Sequence, residues 1–257
     1  MDFTLSKYGE LCKAILKSNY KVLTVKDYLI KEPKKNFIIL RHDVDKSPNN
    51  ALKMAKIEKR YGLRSTFYFR TKTFVPDVVK KIAKLNHEIG YHYEVLDKAK
   101  GNYKKAIEIF KNELKELRKF CEIRTICSHG NPLTKWNNLK LWEKYDFEKF
   151  GILGEVFLSL DFSKIVYYSD TGRNWSEVGV KESIKDNKKK IQINSTDELI
   201  EIIKKGRIKR MMIVTHPKRW SDTTTDWLKE LILQSIKNIG KRILSKSGLY
   251  ESYSYRG

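Results

Sequence analysis

Short apolar runs alternate along the chain with longer stretches in which apolar residues recur every three or four positions. The short runs favour β-strands, and the longer stretches favour amphipathic helices. The predicted strands are, in chain order, 36–42, 65–70, 87–93, 123–129, 154–158, 165–169, 190–194 and 211–216. This alternation is typical of parallel strands joined by crossover helices.

Signals for helix ends support this pattern in the first half of the chain. Ser47 followed by Pro48 predicts the beginning of a helix that Gly62 would end. The segment 102–120 places its apolar side chains on one stripe, as a helix packed against a core does. We also expect the first 30 residues to be helical and to cover one end of the sheet.

Two further helices are predicted near the end of the chain. Ser195, with Glu198 three residues later, predicts a capping box at the start of a helix. A last helix, capped by Asp222 or Thr223, would run towards Lys246.

Composition is typical of a folded globular protein. The chain has 257 residues, of which 40% are apolar and 33% are charged. No stretch approaches the roughly 18 apolar residues that a membrane helix needs, and the N-terminus lacks the apolar core of a secretory signal. Three cysteines without a CxxC pair argue against a disulfide framework or a thiolate zinc knuckle. We therefore expect one domain, 1–257, without an integral membrane segment and located in the cytoplasm.

The net charge of +22, from 53 basic and 31 acidic residues, raises a nucleic acid or another polyanion as a possible partner. The lysines are spread along the whole chain, and an A/T-rich genome would produce the same excess of lysine, isoleucine and asparagine. We find no Gly-rich phosphate loop, zinc-finger spacing or interleaved basic and aromatic strand pair. A polyanion-binding protein stays an alternative that these motifs do not favour. The sequence predicts no oligomeric state.

Several side chains that could bind a metal lie at the ends of predicted strands. Asp43 and Asp45 alternate with their neighbours and should share one face of their strand. Four of the five histidines lie at strand ends, namely His42, His92, His129 and His216. We expect His42 to point to the opposite face from the two aspartates. In an α/β barrel the carboxyl ends of the strands build the active site. Aspartate and histidine from separate strands are typical ligands of a divalent transition metal, most simply Zn²⁺.

Other polar and aromatic side chains near these strands have plainer interpretations. His87 begins its strand on the opposite face, and we interpret it as structural. Arg41 and Glu88 lie deeper in the sheet and could form an ion pair, and we favour a structural supporting role for both. Trp175 and Trp220 follow two strand ends closely; tryptophans are more often part of the core, but in a loop at the sheet edge a sugar ring could stack on them.

Five short motifs follow one another along the chain: RHDVD (41–45), HEIGYHYE (87–94), SHGNP (128–132), YSDTGRNW (168–175) and VTHPKRW (214–220). In this order they resemble a divergent polysaccharide deacetylase of the NodB-homology group of carbohydrate esterases. The resemblance covers about 36–220, with helical additions at both ends. It implies an α/β fold, a single distorted (β/α)7 barrel of the glycoside hydrolase/deacetylase type. It also implies a metal-dependent hydrolase that removes an N-acetyl group from a sugar or glycan precursor.

The resemblance implies a role for each residue that matches a motif. Asp43 looks like the general base and Asp45 like a metal ligand, although the residue between them leaves open whether these roles are exchanged. His92 looks like the first histidine of the family's two-histidine motif. Leu96 stands where the second histidine would be, and we propose that His129 supplies the missing imidazole.

The remaining matches concern proton transfer and substrate binding. His216 matches the late histidine that serves as general acid, and Asp170 looks like the acidic residue that orients it. The family's third motif normally carries an arginine, and only the turn at 130–132 remains here. The predicted substrate-binding residues are Trp175, Arg173, Asn131 and Trp220. The altered ligand set leaves open a catalytically altered or inactive barrel that only binds carbohydrate.

Overall fold

The computed structural model describes residues 1–31, 33–131, 134–177, 193–233 and 235. Its strands are β1 (Lys21–Leu23), β2 (Phe37–Val44), β3 (Thr66–Phe69), β4 (Glu88–Tyr93), β5 (Thr125–Ser128), β6 (Gly154–Glu155), β7 (Val166–Ser169), β8 (Ser176–Glu177) and β9 (Arg210–Thr215). Its α-helices are α1 (Leu5–Leu16), α2 (Val25–Lys31), α3 (Pro48–Arg60), α4 (Pro76–Lys84), α5 (Val95–Lys98), α6 (Tyr103–Arg118), α7 (Val156–Ser159) and α8 (Thr196–Lys205), and residues 224–233 are helical as well. Short 3₁₀ helices cover Thr71–Thr73, Asn138–Glu143, Glu148–Phe150 and Pro217–Arg219.

All the strands belong to one sheet with the order β6-β5-β4-β3-β2-β9-β7-β8, and β1 pairs with β2. The seven strands from β6 to β7 in this order are parallel, and β8 is antiparallel to β7. Helices connect most of the parallel strands, so the predicted (β/α)7 architecture is confirmed. Within the described residues no strand pairing joins β6 to β7, which makes the barrel distorted and open at that place.

The inner face of the sheet curls around a single apolar cluster. Side chains from five parallel strands meet in it: Ile39, Tyr68, Cys127, Tyr167, Met212 and Val214. At the gap between β6 and β7, the ring centroid of Phe157 lies 6.3 Å from that of Tyr167. Aromatic packing therefore occupies the place where the described strands leave the barrel open.

The helix α6 shows how the outer layer is held. It buries four residues of the predicted apolar stripe: Ile107, Phe110, Leu114 and Leu117. Each large apolar side chain buried in this way contributes roughly 1.5–3 kcal/mol. Asn102 caps the helix, because its side chain accepts a hydrogen bond from the backbone N–H of Lys105.

The structure corrects the prediction at the start of the chain. Lys21–Leu23 forms β1, which pairs with the first residues of β2, so the first 30 residues are not all helical. Ser47 makes no side-chain capping bond; its backbone is left-handed, with φ 57°, and α3 begins at Pro48. The helix ends at Arg60, and Gly62 follows it with a positive φ, so the predicted end of this helix is confirmed.

The capping predictions in the second half are largely confirmed. Ser195 accepts a hydrogen bond from the N–H of Glu198, whose carboxylate reaches back to the N–H of Asn194. Thr223, rather than Asp222, caps the last helix by accepting from the N–H of Asp226.

Two strand predictions and one helix end need comment. Of 154–158 only β6 is a strand, because the side chain of Glu155 accepts from two following N–H groups and starts α7. In 190–194 the first three residues lie outside the described part, and the remaining two are not in a strand. Lys246 also lies outside the described residues. None of the described helices has both the length and the apolar character needed to cross a membrane.

Candidate active site

Asp45 lies at the centre of a cluster of side chains from the carboxyl ends of four strands. Its Oδ1 atom is 3.6 Å from Nε2 of His92 and 3.6 Å from Nε2 of His129. Its Oδ2 atom is 3.9 Å from Nε2 of His216 and 3.7 Å from Nζ of Lys218. One carboxylate oxygen therefore faces two imidazoles, and the other faces a third imidazole and an ammonium group.

The strand register explains why these side chains meet. Asp43 pairs with Tyr68 on β3, and Tyr68 pairs with Gly90 on β4, two residues before His92. Because side chains alternate along a strand, all four positions face the inside of the curled sheet. A Cβ atom on Gly90 would lie 2.2 Å from the Tyr68 ring, so only glycine lets this ring cross the interior.

Arg41 forms a buried ion pair with Asp43. Its Nε and NH2 groups donate to Oδ1 and Oδ2 at 2.8 and 2.7 Å, and NH2 also lies 2.7 Å from Sγ of Cys127. Burial raises the pKa of the Asp43 carboxyl, but the charge of Arg41 and the nearby imidazoles outweigh burial, and the net pKa is lowered. Asp43 is therefore ionised at neutral pH and fixed in orientation.

Arg41 pairs with Asp43 rather than with Glu88, the partner considered from the sequence. Glu88 lies at the beginning of β4 and accepts hydrogen bonds from the hydroxyls of Thr66 and Thr125. Burial raises its pKa. Arg41 is directed towards Asp43, which stands two residues later on the same strand.

His92 and His129 present neutral imidazoles to Asp45. Nδ1 of His92 lies 2.9 Å from the carbonyl oxygen of Cys127, so it donates there and leaves Nε2 as the unprotonated nitrogen. Burial lowers the pKa of His92, and burial followed by the proximity of His92 lowers the pKa of His129 to about 3. Leu96 is 2% exposed and packs in the core, so His129 is the second imidazole beside Asp45.

The donor chemistry of this cluster fits a divalent cation. Asp45 Oδ1 is buried and has no hydrogen-bond partner, although a buried carboxylate oxygen normally has one. Burial raises the pKa of Asp45, but the neighbouring His216, His92 and His129 and the charge of Lys218 lower it below its usual value. An ionised carboxylate between two neutral imidazoles is a typical ligand set for zinc. In the part of the chain that the structure describes, no three His, Cys, Asp or Glu side chains have the geometry of a formed metal site. The types of donor atom therefore fit a zinc ion, whereas their present positions are not those of a formed site.

Asp170 fixes the orientation of His216. It accepts hydrogen bonds from the backbone N–H of His216 at 2.9 Å and lies 2.6 Å from Nδ1 of the same residue. Arg219 NH1 and Trp220 Nε1 donate to it at 2.7 and 2.9 Å. Burial raises the pKa of Asp170, but Arg219 and His216 bring it down to about 2. The ionised carboxylate therefore holds Nδ1 of His216, and Nε2 points towards Asp45.

The structure corrects the roles predicted for the two tryptophans. Trp175 is 1% exposed and Trp220 is 0% exposed, and their ring centroids lie 6.1 Å apart. Trp175 Nε1 donates to Thr196 Oγ1 at 2.9 Å, and both rings pack against Phe3. Neither ring offers a free face to a sugar. Trp175 belongs to the core, and Trp220 supports Asp170.

Arg173 and Asn131 make contacts with neighbouring loops and rings. The guanidinium of Arg173 lies 5.3 Å from the ring centroids of both Phe3 and Trp227, and it donates to the carbonyl of Arg219. The substrate role of Arg173 stays a prediction. The carbonyl of Asn131 accepts from the N–H of Thr134, and the substrate role of Asn131 stays a prediction.

His42 and His87 occupy the opposite face of the sheet, as alternation predicted. Nε2 of His42 is 2.9 Å from Glu58 Oε1, and Nδ1 is 2.6 Å from Thr215 Oγ1. Tyr8 donates to the same Glu58 oxygen at 2.5 Å, and His87 lies 3.5 Å from the other. These side chains are all buried and link α1 and α3 to the sheet.

Two supporting residues were not predicted from the sequence, and a third was considered with another partner. Arg41 was considered for the wrong partner, and Lys218 and Arg219 were not singled out. The signals were present, since Arg41 shares a strand face with Asp43 and Asp45. The two basic residues follow His216 directly in the motif VTHPKRW.

No protein-family profile and no curated protein matches the chain. Solved structures similar to it include a CE4 family pseudoenzyme from Bacillus anthracis, at 14% identity and a TM-score of 0.46, over 80% of this chain and 62% of that one. A CE4 esterase from Streptococcus mutans matches at 15% identity and a TM-score of 0.45, over 86% and 88% of the two chains. A family 4 carbohydrate esterase from Streptomyces lividans matches at 13% identity and a TM-score of 0.43, over 79% and 89%. They belong to the group of carbohydrate esterases that the sequence motifs resemble. At these identities and TM-scores the likeness assigns neither activity nor site residues to this chain.

Proposed function

We propose that this chain is a metal-dependent hydrolase of carbon–nitrogen amide bonds, which removes an N-acetyl group from a sugar or glycan precursor. The observation that carries the proposal is the buried Oδ1 atom of Asp45, which lacks a hydrogen-bond partner between two neutral imidazoles. An oriented carboxylate and an oriented imidazole lie beside it. The acetylated sugar comes from the motif resemblance, and the cytoplasmic location stays a prediction of the sequence.

The cation would be held by Asp45, His92 and His129, and we propose Zn²⁺. Its donors are one carboxylate and two neutral imidazoles, and this set leaves a coordination position open. When bound, such a cation polarises the amide carbonyl and lowers the pKa of a water molecule. Asp45 rather than Asp43 takes this role, because Arg41 already binds both oxygens of Asp43.

Asp43 would act as the general base. Each of its oxygens keeps a second lone pair while it accepts from Arg41. The lowered pKa keeps the carboxylate ionised and able to accept a proton from the attacking water. Arg41 lowers the basicity of Asp43 but fixes the orientation of its carboxylate. A general base needs such a fixed orientation towards the proton that it accepts.

His216 would act as the general acid. Asp170 accepts a hydrogen bond from Nδ1–H and stabilises the doubly protonated ring, so Nε2–H can donate its proton to the departing amine. The water oxygen bonds to the carbonyl carbon, the carbon–nitrogen bond breaks, and the nitrogen receives its proton from His216. The products are acetate and a free amino sugar.

Acetate release from N-acetylglucosamine oligomers and from soluble N-acetyl sugar precursors tests the proposal. The zinc-loaded chain should release acetate, and a chelator should abolish the release. Asp43→Asn and His216→Ala should each lower kcat by about 10² to 10⁴ while the fold is kept. If the zinc-loaded chain releases no acetate from any of these substrates, the proposal is refuted and the catalytically altered barrel is favoured.

A further inference from the structure

Lys218 shares the central carboxylate with the proposed cation ligands. Its Nζ atom lies 3.7 Å from Oδ2 of Asp45, and the side chain is 22% exposed. The other oxygen of the same carboxylate faces His92 and His129. The ammonium group of Lys218 and the two imidazoles therefore face the two oxygens of the same carboxylate.

The backbone fixes where this lysine begins. Lys218 is the middle residue of the 3₁₀ helix Pro217–Arg219. The helix is held by a hydrogen bond from Arg219 N–H to His216 O at 2.9 Å and another from Trp220 N–H to Pro217 O at 3.2 Å. The anchored backbone directs the side chain to the mouth of the site, where its charge also lowers the pKa of Asp45.

The charges of the neighbouring carboxylates show why Lys218 affects a cation in particular. Asp43 is paired with the buried Arg41, and Asp170 is paired with the buried Arg219. Asp45 is the one carboxylate among the three proposed ligands, and Lys218 lies next to it. Two positive charges that share one carboxylate repel each other in a partly buried site, since screening by water is reduced there.

We propose that Lys218 is the residue that sets the cation affinity of this site: its ammonium group competes with the divalent ion for Asp45 and weakens binding. The inference rests on the proposed function, because it takes Asp45, His92 and His129 as the ligands. It concerns how tightly these ligands bind the cation, and it does not depend on the identity of the substrate. The lysine makes the site bind zinc more weakly than the same three donors would alone.

Zinc titration of the purified full chain against a competing chromophoric chelator tests this inference, at fixed pH and ionic strength. Lys218→Met should bind zinc about tenfold more tightly than the wild type, because one repelling charge is removed. Lys218→Arg keeps the charge and should stay within about threefold of the wild type. Lys119→Met is the control for net charge, since Lys119 is exposed and pairs with Glu116 on α6. Thermal unfolding of each variant checks that the fold is kept.

The outcomes separate this inference from the proposed function. Tighter binding by Lys218→Met alone supports the inference, and so does zinc binding by Lys218→Met when the wild type binds none. Equal affinities of the wild type and Lys218→Met overturn the inference and leave the proposed function intact. An absence of zinc binding in both proteins overturns the inference and the proposed function together.

Discussion

Arg41 holds both carboxylate oxygens of Asp43 from a position two residues earlier on the same strand, at 2.8 and 2.7 Å. Alternation along β2 places both side chains on the inner face, so this pair of hydrogen bonds forms within a single strand. A guanidinium group fixes the plane of a carboxylate in a way that an ammonium group does not. The direction of the proposed base therefore depends on Arg41.

Substitutions of Arg41 should separate charge from orientation. Arg41→Gln removes the charge that offsets burial, so the pKa of Asp43 rises and the base is protonated over a wider pH range. The acid limb of the pH–kcat profile should move to higher pH, and kcat should fall by about 10- to 100-fold. The measurement is acetate release as a function of pH.

Arg41→Lys is the matched variant, because it keeps the charge and loses the two parallel hydrogen bonds. We expect a lower kcat with an acid limb close to that of the wild type. If both variants keep the wild-type profile, Asp43 does not act as the base.

Asp170→Asn should disable the proposed acid without removing zinc. The asparagine no longer stabilises the charged His216 ring, so kcat should fall by about 10² to 10⁴. Because Asp170 acts through His216, the double variant with His216→Ala should be no slower than His216→Ala alone. Additive losses in acetate release would contradict this dependence.

Trp175→Phe should change stability and leave substrate affinity unchanged. The substitution removes the hydrogen bond from Nε1 to Thr196 in the core, which should cost about 1 kcal/mol of the free energy of unfolding. Urea unfolding measures this loss, and KM for acetate release should match the wild type. A tenfold rise of KM at unchanged stability would contradict this prediction and indicate that Trp175 contacts the substrate.

Glu58 should make the folded state sensitive to acid. Burial raises its pKa, but His42, His87 and the Ser65 hydroxyl lower it to about 2, whereas an unfolded glutamate has a pKa near 4.3. The unfolded state therefore binds more protons between these values, so this contribution is complete above pH 4.3 and is lost as the pH falls towards 2.

Glu58→Gln tests this linkage. At pH 6 the wild type should be more stable than the variant by up to about 3 kcal/mol, and the difference should shrink by pH 3. Tyr8→Phe is the control, since it removes one hydrogen bond to Glu58 without removing a charge. A difference between wild type and Glu58→Gln that stays constant in urea unfolding from pH 6 to pH 3 would contradict the prediction.

Strand alternation was enough to predict which side chains share a face. It placed Asp43 and Asp45 on one face and His42 on the opposite face, because the period of a strand is two. The same rule could not select the partner of Arg41. Both Glu88 and Asp43 lie on inward-facing strand positions, and only their distances separate the two choices.

Long-range packing explains most of the errors. Trp175 is buried partly by Phe3, from the other end of the chain, and no local pattern contains that contact. Lys21–Leu23 is too short for a periodic signal and becomes a strand because the edge of β2 is beside it. The single domain over 1–257 stays a prediction, since 178–192 and most of 234–257 lie outside the described residues.

The central claim is that Asp45, His92 and His129 hold one cation. Zinc content after loading and exhaustive dialysis, measured by elemental analysis, tests it most directly. The wild type should keep about one zinc ion per chain, and Asp45→Ala, His92→Ala and His129→Ala should each lose it. His216→Ala should keep the zinc and lose turnover, because its imidazole is held by Asp170 outside the ligand set. Equal zinc content in all five proteins would contradict the account.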